Sequence, residues 1–297
     1  MGNISIPFEK YEGYQKIVSE EYLGTQPRYS AFAVALELEH EIASGSLSSI
    51  PGWVAEGDGS LGRSGVEFIS RRPVTKKNLD KQVDVWYNKI SELGIRLSES
   101  TNTSTHVHVN CQHLRVHQLI SVLAVAYMVE PLLFSLCRSD RLGNNFCVAG
   151  FSDHRQIHDV CSLLRNGYVP SASSDERYSA LNLASLRKFG SLEFRQMHGL
   201  SDPSEIKGWV NVLYWLTVNA SSKPIDEWNT LYLEKPLDVF LTMIFGDDGF
   251  KYLLETGYNG KLDQMRAALR KQSKVFPWFL RSSPRPAPAR KKPKRTT

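Results

Sequence analysis

The sequence predicts an α+β fold, in which antiparallel strands with one apolar face pack against helices. Four segments alternate apolar and polar residues with the period of two that is typical of half-buried strands. Other segments have the three-to-four-residue apolar spacing of amphipathic helices. The chain has 297 residues, of which 41% are hydrophobic and 23% charged. This composition is that of an ordinary globular protein with a substantial core.

The first predicted strand, residues 29–42, has an unusual second face. Its apolar face carries Phe32, Val34, Leu36 and Leu38. Its other face carries small alanines and then Glu37, Glu39 and Glu41. Carboxylates this close raise one another's pKa unless a cation lies between them, and Mg²⁺ prefers such oxygen ligands. The alternative is a solvated strand end with surface glutamates.

Residues 43–64 are rich in glycine and serine, and we expect a loop that is either a flexible surface element or a substrate-contacting one. Asp58 lies in it, in the short motif DGSL. Residues 65–70 form the second predicted strand, with Glu67 on the face opposite Val66 and Phe68.

Two more strands repeat this design. Residues 105–110 place His106 and His108 on the face opposite their valines. Residues 191–197 place Glu193 and Arg195 together, opposite Leu192 and Phe194. Residues 177–185 are also predicted to be extended. The predicted helices are residues 76–94, 112–137, 153–166, a helix capped by Asp202 with Pro203 in its first turn, 235–256 and 261–275.

The polar faces of the four strands therefore carry almost only carboxylates, imidazoles and a guanidinium. A solvated sheet face would instead carry a mixture of Lys, Thr, Ser and Gln. Carboxylates and histidines at this density suit two divalent cations, and an arginine among them suits a polyphosphate. We therefore expect a metal and phosphate site on this face of the sheet.

Seven motifs, in this order, resemble those of the amidoligases, which belong to the glutamine synthetase and glutamate–cysteine ligase superfamily. They are LELE at 36–39, DGSL at 58–61, GVEFIS at 65–70, HVHVN at 106–110, RLGNNFC at 141–147, RYSALNL at 177–183 and GSLEFR at 190–195. The resemblance covers about residues 30–220. It implies an antiparallel sheet curved around an ATP and Mg²⁺ site, with helices on its outer face. The implied reaction activates a carboxylate as an acyl phosphate, which an amine then attacks.

The resemblance also implies roles for individual residues. The implied metal ligands are Glu37, Glu39, Glu67, Glu193 and His108 or His106, for two Mg²⁺ ions, with Mn²⁺ as an alternative. Arg195 matches a phosphate-contacting arginine, and Arg177 matches an arginine that contacts phosphate or the substrate carboxylate. Arg141 and Asn145 match a loop near the substrate or nucleotide. Asp58 or Glu41 is expected to take the proton of the attacking amine. The substrates would be an amino acid, peptide or protein carboxylate and an amine.

Two positions depart from the pattern of the amidoligases. Ser104 and Thr105 stand where a Cys-Gly pair is usual, and HGLSDP follows the last strand in place of a Gly-Thr-type turn. We expect the first to stiffen the start of the histidine strand and the second to reshape the rim of the pocket. Because the charged positions are retained, these departures affect the substrate more than the chemistry.

The C-terminal segment, residues 281–297, supports a different class of function. It holds seven basic residues and no acidic one, whereas the rest of the chain has 29 basic and 31 acidic residues. Its composition predicts a disordered tail, which could bind nucleic acid or another anion or simply improve solubility. A third reading is a zinc hydrolase that uses His106 and His108.

The remaining features predict a cytoplasmic protein. Four dispersed cysteines form no CxxC pair, and the N-terminus has no secretory signal pattern. The most apolar segment, Leu119 to Cys137, is interrupted by Glu130 and Pro131 and is predicted to be part of a buried helix, not a membrane span. We expect an N-terminal extension over 1–28, a catalytic domain over 29–280 and the tail over 281–297, with no membrane association.

Overall fold

A computed structural model describes residues 5–8, 11, 32–44, 49–62, 64–151, 154–170, 178–256 and 262–282. Antiparallel strands and helices make up these parts, which confirms the predicted α+β class. The strands are β1 (Ser5–Pro7), β2 (Val34–Ser44), β3 (Trp53–Gly57), β4 (Gly65–Ser70), β5 (Arg96–Ser98), β6 (Ser104–Asn110), β7 (Tyr168–Pro170), β8 (Leu181–Asn182) and β9 (Ser191–His198). The helices are α1 (Lys76–Glu92), α2 (Val116–Ser135), α3 (Arg155–Arg165), α4 (Ala184–Lys188), α5 (Pro203–Ala220), α6 (Ile225–Glu234), α7 (Leu237–Glu255), α8 (Leu262–Gln272) and α9 (Val275–Ser282).

The main sheet has the strand order β3-β4-β2-β6-β9-β8, and β5 pairs with the far end of β2. All of these pairs are antiparallel. The four strands that share the predicted design, β4, β2, β6 and β9, are therefore neighbours in the sheet. A separate two-stranded sheet joins β1 to β7.

One face of the main sheet forms the core. The apolar side chains of its central strands are fully buried: Val34, Leu36, Leu38, Phe68, Val107, Val109, Leu192 and Phe194 are each 0% exposed. Helices α1, α2 and α5 contact this sheet. The predicted alternation of the strands is thus confirmed, because every second residue faces the helices.

Local sequence signals explain where α1 and α5 begin and end. Thr75 accepts the Asn78 N–H at the start of α1, and Gly94 ends it with a φ of +61°. Asp202 Oδ1 accepts the N–H groups of Ser204 and Glu205 at 2.7 and 3.1 Å, as predicted for the cap of α5.

Helix α2 is largely buried. It is long and apolar enough to cross a membrane by length and composition alone, but 83% of its apolar window is buried inside the fold. Pro131 lies inside the helix without ending it, and Glu130 is only 2% exposed. The prediction of a buried core helix is therefore confirmed.

Several predicted boundaries differ from the structure. The Gly/Ser-rich segment contains strand β3, because Trp53 is buried and pairs with Ser70 of β4. Among the described residues of the expected extended segment 177–185, only Leu181 and Asn182 form a strand, and α4 begins at Ala184. Helices α6 and α9 were not predicted.

The predicted N-terminal extension is anchored to the fold. β1 pairs with β7, and the Tyr11 hydroxyl donates to the Cys111 carbonyl at 3.2 Å across the core. At the other end, Arg281 and Ser282 belong to α9, so the predicted tail boundary at 281 is two residues too early. The rest of the tail, 283–297, lies outside the described residues.

Candidate active site

The register of the main sheet brings the predicted charged residues onto one face. β2 pairs Glu37 with His106 of β6 and Glu39 with Glu67 of β4. On the other side, His108 of β6 pairs with Glu193 of β9. Directly paired residues of antiparallel strands have neighbouring side chains on the same face. Residues far apart in the sequence therefore meet opposite the apolar core.

A cleft of about 850 Å³ opens over this face. The predicted site residues that line it are Glu37, Glu39, Asp58, Glu67, Glu193 and Arg195. His106 and His108 are 1% and 5% exposed and contact the carboxylates of this cleft. The hollow that the predicted chemistry requires is therefore present.

Glu37 is the centre of the site. Its Oε2 lies 3.0 Å from His106 Nδ1, and its Oε1 lies 3.1 Å from His108 Nε2. Burial by itself would raise the pKa of Glu37, but His108 and His106 outweigh burial and hold that pKa well below its usual range. Burial would likewise lower the pKa of His108, but Glu37 and Glu193 raise it overall. The carboxylate and the two rings form one electrostatic unit.

A serine fixes the other nitrogen of each ring. His106 Nε2 lies 2.6 Å from Ser104 Oγ, and His108 Nδ1 lies 3.1 Å from Ser191 Oγ. Ser104 also donates to Glu39. A partner on the outer nitrogen sets the ring orientation of metal-binding histidines. Both rings are thus turned toward Glu37.

Glu193 is held from two sides. Its Oε2 accepts hydrogen bonds from Asn182 Nδ2 at 2.7 Å and Ser185 Oγ at 2.8 Å, and its Oε1 accepts one from Arg195. Burial would raise the pKa of Glu193, but His108 and Arg195 lower it overall. The carboxylate is therefore kept ionised in a buried position.

Glu67 lacks the hydrogen bonds that Glu193 has. Among the described residues, no side chain or backbone group donates a hydrogen bond to its carboxylate. Burial and the nearby charges of Glu37, Glu39 and Asp58 raise the pKa of Glu67 to about 8. A divalent cation would offset the negative charge that crowds this carboxylate.

The donor atoms fit metal ions. Two groups each have their donor atoms within 4.8 Å of one another: Glu37, His108 and Glu193 form one, and Glu37, Glu67 and His106 form the other. Glu37 belongs to both groups, so it could bridge two cations. Glu39 lies beside them, with its Oε1 3.7 Å from His106 Nε2.

Four predicted residues are placed elsewhere. Arg141 is 1% exposed and uses its guanidinium to bind the backbone carbonyls of Gln196 and Arg195, at 3.1 and 2.7 Å, so it does not face a nucleotide as expected. Glu41 pairs with Gly65 and Ser98 beyond the cleft and does not line it. Asn145 is exposed but is not a lining residue, although its neighbour Phe146 is. Arg177 lies outside the described residues.

The structure adds residues that the sequence did not indicate. Ser104, Ser191, Asn182 and Ser185 hold the charged side chains, as described above. Asn102, Phe146 and Tyr178 also line the cleft, and the two rings are 5.4 Å apart in an edge-to-face contact. Short polar and aromatic residues are common everywhere, so only the spatial arrangement reveals their role. In the sequence, only the departure of Ser104 from the amidoligase pattern pointed to one of these residues.

The family described as "Putative amidoligase enzyme" matches residues 65–217. A search of curated proteins found no match. Among solved structures, the chain is similar to one titled "Crystal structure of novel glutamine synthase homolog", with 13% sequence identity and a TM-score of 0.34. That match covers 89% of this chain and 75% of the other chain.

Proposed function

Because the chain belongs to the amidoligase family, we propose that it is an ATP-dependent ligase that joins a carboxylate to an amine through an acyl phosphate. The observation that best supports this is the pair of ligand groups that share Glu37, next to Arg195. A carboxylate substrate is activated when one of its oxygens attacks the γ-phosphorus of ATP and ADP leaves. The amine nitrogen then attacks the carbonyl carbon, and phosphate leaves with that oxygen.

The metal-binding residues follow from the two groups. Glu37, Glu67 and His106 would hold one Mg²⁺, and Glu37, His108 and Glu193 the other, with Mn²⁺ as an alternative. When bound, these ions would neutralise the phosphate oxygens of ATP. Glu39, which accepts a hydrogen bond from Ser104, would supply a further oxygen ligand.

Arg195 is the proposed phosphate-binding residue. Its guanidinium lines the cleft and binds Glu193, which orients it. Its Nε is buried and has no hydrogen-bond partner within the described parts of the chain. A buried donor without a partner is costly, so this N–H is suited to an oxygen of the transferred phosphoryl group. Arg177 is proposed for the same phosphate, on the resemblance alone.

Other lining residues suit the remaining groups of the substrates. Asp58 lines the cleft near Glu67 and is the proposed base for the amine, in preference to Glu41, which does not line the cleft. Phe146 is 45% exposed beside Tyr178, and this aromatic wall suits the base of ATP. The acid is proposed to be an amino acid, a peptide or a protein side chain.

A phosphate-release screen tests the proposal. The full chain is incubated with Mg·ATP and a panel of amino acids and peptides, and products are analysed by mass spectrometry. A productive pair should give ADP, phosphate and a product lighter than its two components by one water. With an ¹⁸O-labelled carboxylate, the phosphate should carry one ¹⁸O. Phosphate without label, or a product containing AMP, would overturn the acyl-phosphate route.

Binding of nucleic acid by the basic tail is kept as a separate proposal. Deletion of residues 283–297 leaves α9 intact, since Ser282 is its last residue. We expect this variant to keep ATP turnover and to lose any salt-sensitive affinity for DNA or RNA. Loss of turnover in the same variant would link the tail to catalysis.

A further inference from the structure

A second groove, of about 480 Å³, lies among the C-terminal helices. It is formed by the end of α6, the start of α7 and one side of α8. Tyr232, Leu237 and Phe240 contribute to its apolar wall. None of its lining residues lines the cleft described above. Any function of this groove is therefore separate from the proposed ligase site.

The apolar wall of the groove is preformed. Phe240 is 0% exposed, and its ring contacts Tyr232 edge-to-face at a centroid distance of 5.4 Å. Trp228 contacts the same ring of Phe240 at 6.1 Å. Because these rings pack on one another, the wall has its shape without a bound ligand.

Three cations surround this wall. Lys235, Arg266 and Arg270 line the groove, and no acidic residue lines it. In the described parts of the chain, none of their charged groups has an ion-pair partner. Two other lysines do have such partners: Lys223, just before α6, pairs with Glu227, and Lys251 of α7 pairs with Glu255. Among the described residues, the groove therefore holds positive charge without an acidic partner.

The rim of the groove exposes an apolar side chain. Leu233 lines the groove and is 72% exposed, more than any other large hydrophobic residue among the described parts of the chain. A pair of cations one helical turn apart is not unusual by itself, since Lys77 and Lys81 form one on α1. The distinction here is that the cations flank apolar surface. A partner that carries both negative charge and an aliphatic or aromatic side chain would use both features.

We propose that this groove docks an acidic peptide segment, in which carboxylates flank one or two large apolar side chains. The volume suits a few side chains and not a folded domain. The carboxylates of such a segment would pair with Arg266, Arg270 and Lys235. An apolar side chain would lie against the half-buried Tyr232 and Leu237. Phosphate-only ligands would leave the apolar wall and Leu233 in water.

Peptide binding tests this proposal directly. The probe is a fluorescein-labelled peptide, Glu-Glu-Leu-Phe-Asp-Glu, and its counterpart carries Lys at every acidic position. Fluorescence anisotropy with the full chain should show saturable binding of the acidic peptide that weakens with salt, and none of the basic one. The double variant R266Q/R270Q should weaken binding at least tenfold. The matched variant K77Q/K81Q, which removes a similar pair from another helix, should bind as the wild type does.

Leu233→Asp provides a second test, because it adds a repelling charge at an exposed position that folding does not use. Circular dichroism should show that all variants are folded. Equal binding of both peptides, or equal affinity of R266Q/R270Q and wild type, would overturn the proposal. Binding to phosphatidylserine vesicles in place of the acidic peptide would also overturn it. Because ligase activity is not measured, failure here leaves the proposed function untouched.

Discussion

His108 Nε2 lies 3.1 Å from Glu37 Oε1, although 71 positions separate these residues in the chain. The neighbouring ring of His106 reaches the other oxygen of the same carboxylate. One glutamate thus joins the two histidines of β6 and belongs to both groups of possible metal ligands. This arrangement makes Glu37 the residue on which the proposed chemistry depends.

Glu67→Gln should stabilise the metal-free protein at alkaline pH. The pKa of Glu67 is raised to about 8 in the fold, from an unfolded value of 4.5. Between these values the folded state binds the extra proton, so wild-type stability falls as pH rises from 4.5 to 8. The glutamine variant escapes this loss. We expect its melting temperature in EDTA to exceed that of wild type at pH 8, by about 2 °C or more, and the difference to shrink toward pH 5.

Magnesium should reverse the order of the two melting temperatures, so that wild type melts above Glu67→Gln. Mg²⁺ should raise the melting temperature of wild type at pH 8, because it neutralises the crowded carboxylates, and should affect Glu67→Gln much less. Differential scanning calorimetry with and without Mg²⁺ measures both effects. Equal responses of the two proteins would show that Glu67 is not a metal ligand.

Ser104→Ala should weaken metal binding without unfolding the protein. Ser104 holds His106 Nε2 at 2.6 Å and also binds Glu39. Loss of such a supporting partner typically lowers metal affinity about 10–100-fold. Calorimetric titration with Mn²⁺ measures the change, and Ser201→Ala, at a half-buried serine that donates to Glu99, is the matched control. A change no larger than in the control would remove Ser104 from the site.

Phe146→Ala should weaken binding of the base of ATP and leave binding of its phosphates unchanged. Stacking of a base on an aromatic ring contributes about 1–3 kcal/mol, and each 1.4 kcal/mol is a factor of ten in affinity. We therefore expect roughly tenfold weaker binding of Mg·ATP and unchanged binding of Mg·triphosphate. Leu142→Ala is the control, because Leu142 is also exposed in this loop but does not line the cleft. Equal losses for both ligands would place the base elsewhere.

Arg141→Met should lower stability and not nucleotide affinity. The substitution leaves the buried carbonyls of Arg195 and Gln196 without their donor. Each such group costs about 1–3 kcal/mol, so the free energy of unfolding should fall by about 2 kcal/mol or more. Urea denaturation measures this loss. If the variant were as stable as wild type but no longer bound ATP, Arg141 would instead contact the nucleotide directly, as the sequence suggested.

The strand faces could be predicted from the sequence because alternation is a local property. Glu37, Glu67, His106 and Glu193 each stand opposite apolar neighbours in their own strands, and the apolar neighbours enter the core. Their convergence required only that the strands be adjacent, which the shared design suggested. The predicted helix start at Asp202 was equally local.

The predictions that differ from the structure concern residues whose placement depends on contacts with distant parts of the chain. Arg141 has the sequence context of a substrate-binding loop, but its guanidinium turns inward to two β9 carbonyls that no local pattern predicts. Glu41 continues the alternation of β2, yet the cleft does not extend to the place where β5 joins that strand. Strand β3 lies within a Gly/Ser-rich segment because β4 offers it a partner.

The number of divalent ions bound at the cleft tests the central claim most directly. Mn²⁺ is titrated into the full chain with a non-hydrolysable ATP analogue and followed by electron paramagnetic resonance. We predict two bound ions per wild-type chain, with a spectrum that shows them to be coupled, and loss of both in Glu37→Gln. One ion or none in the wild type, or two ions in Glu37→Gln, would contradict the account.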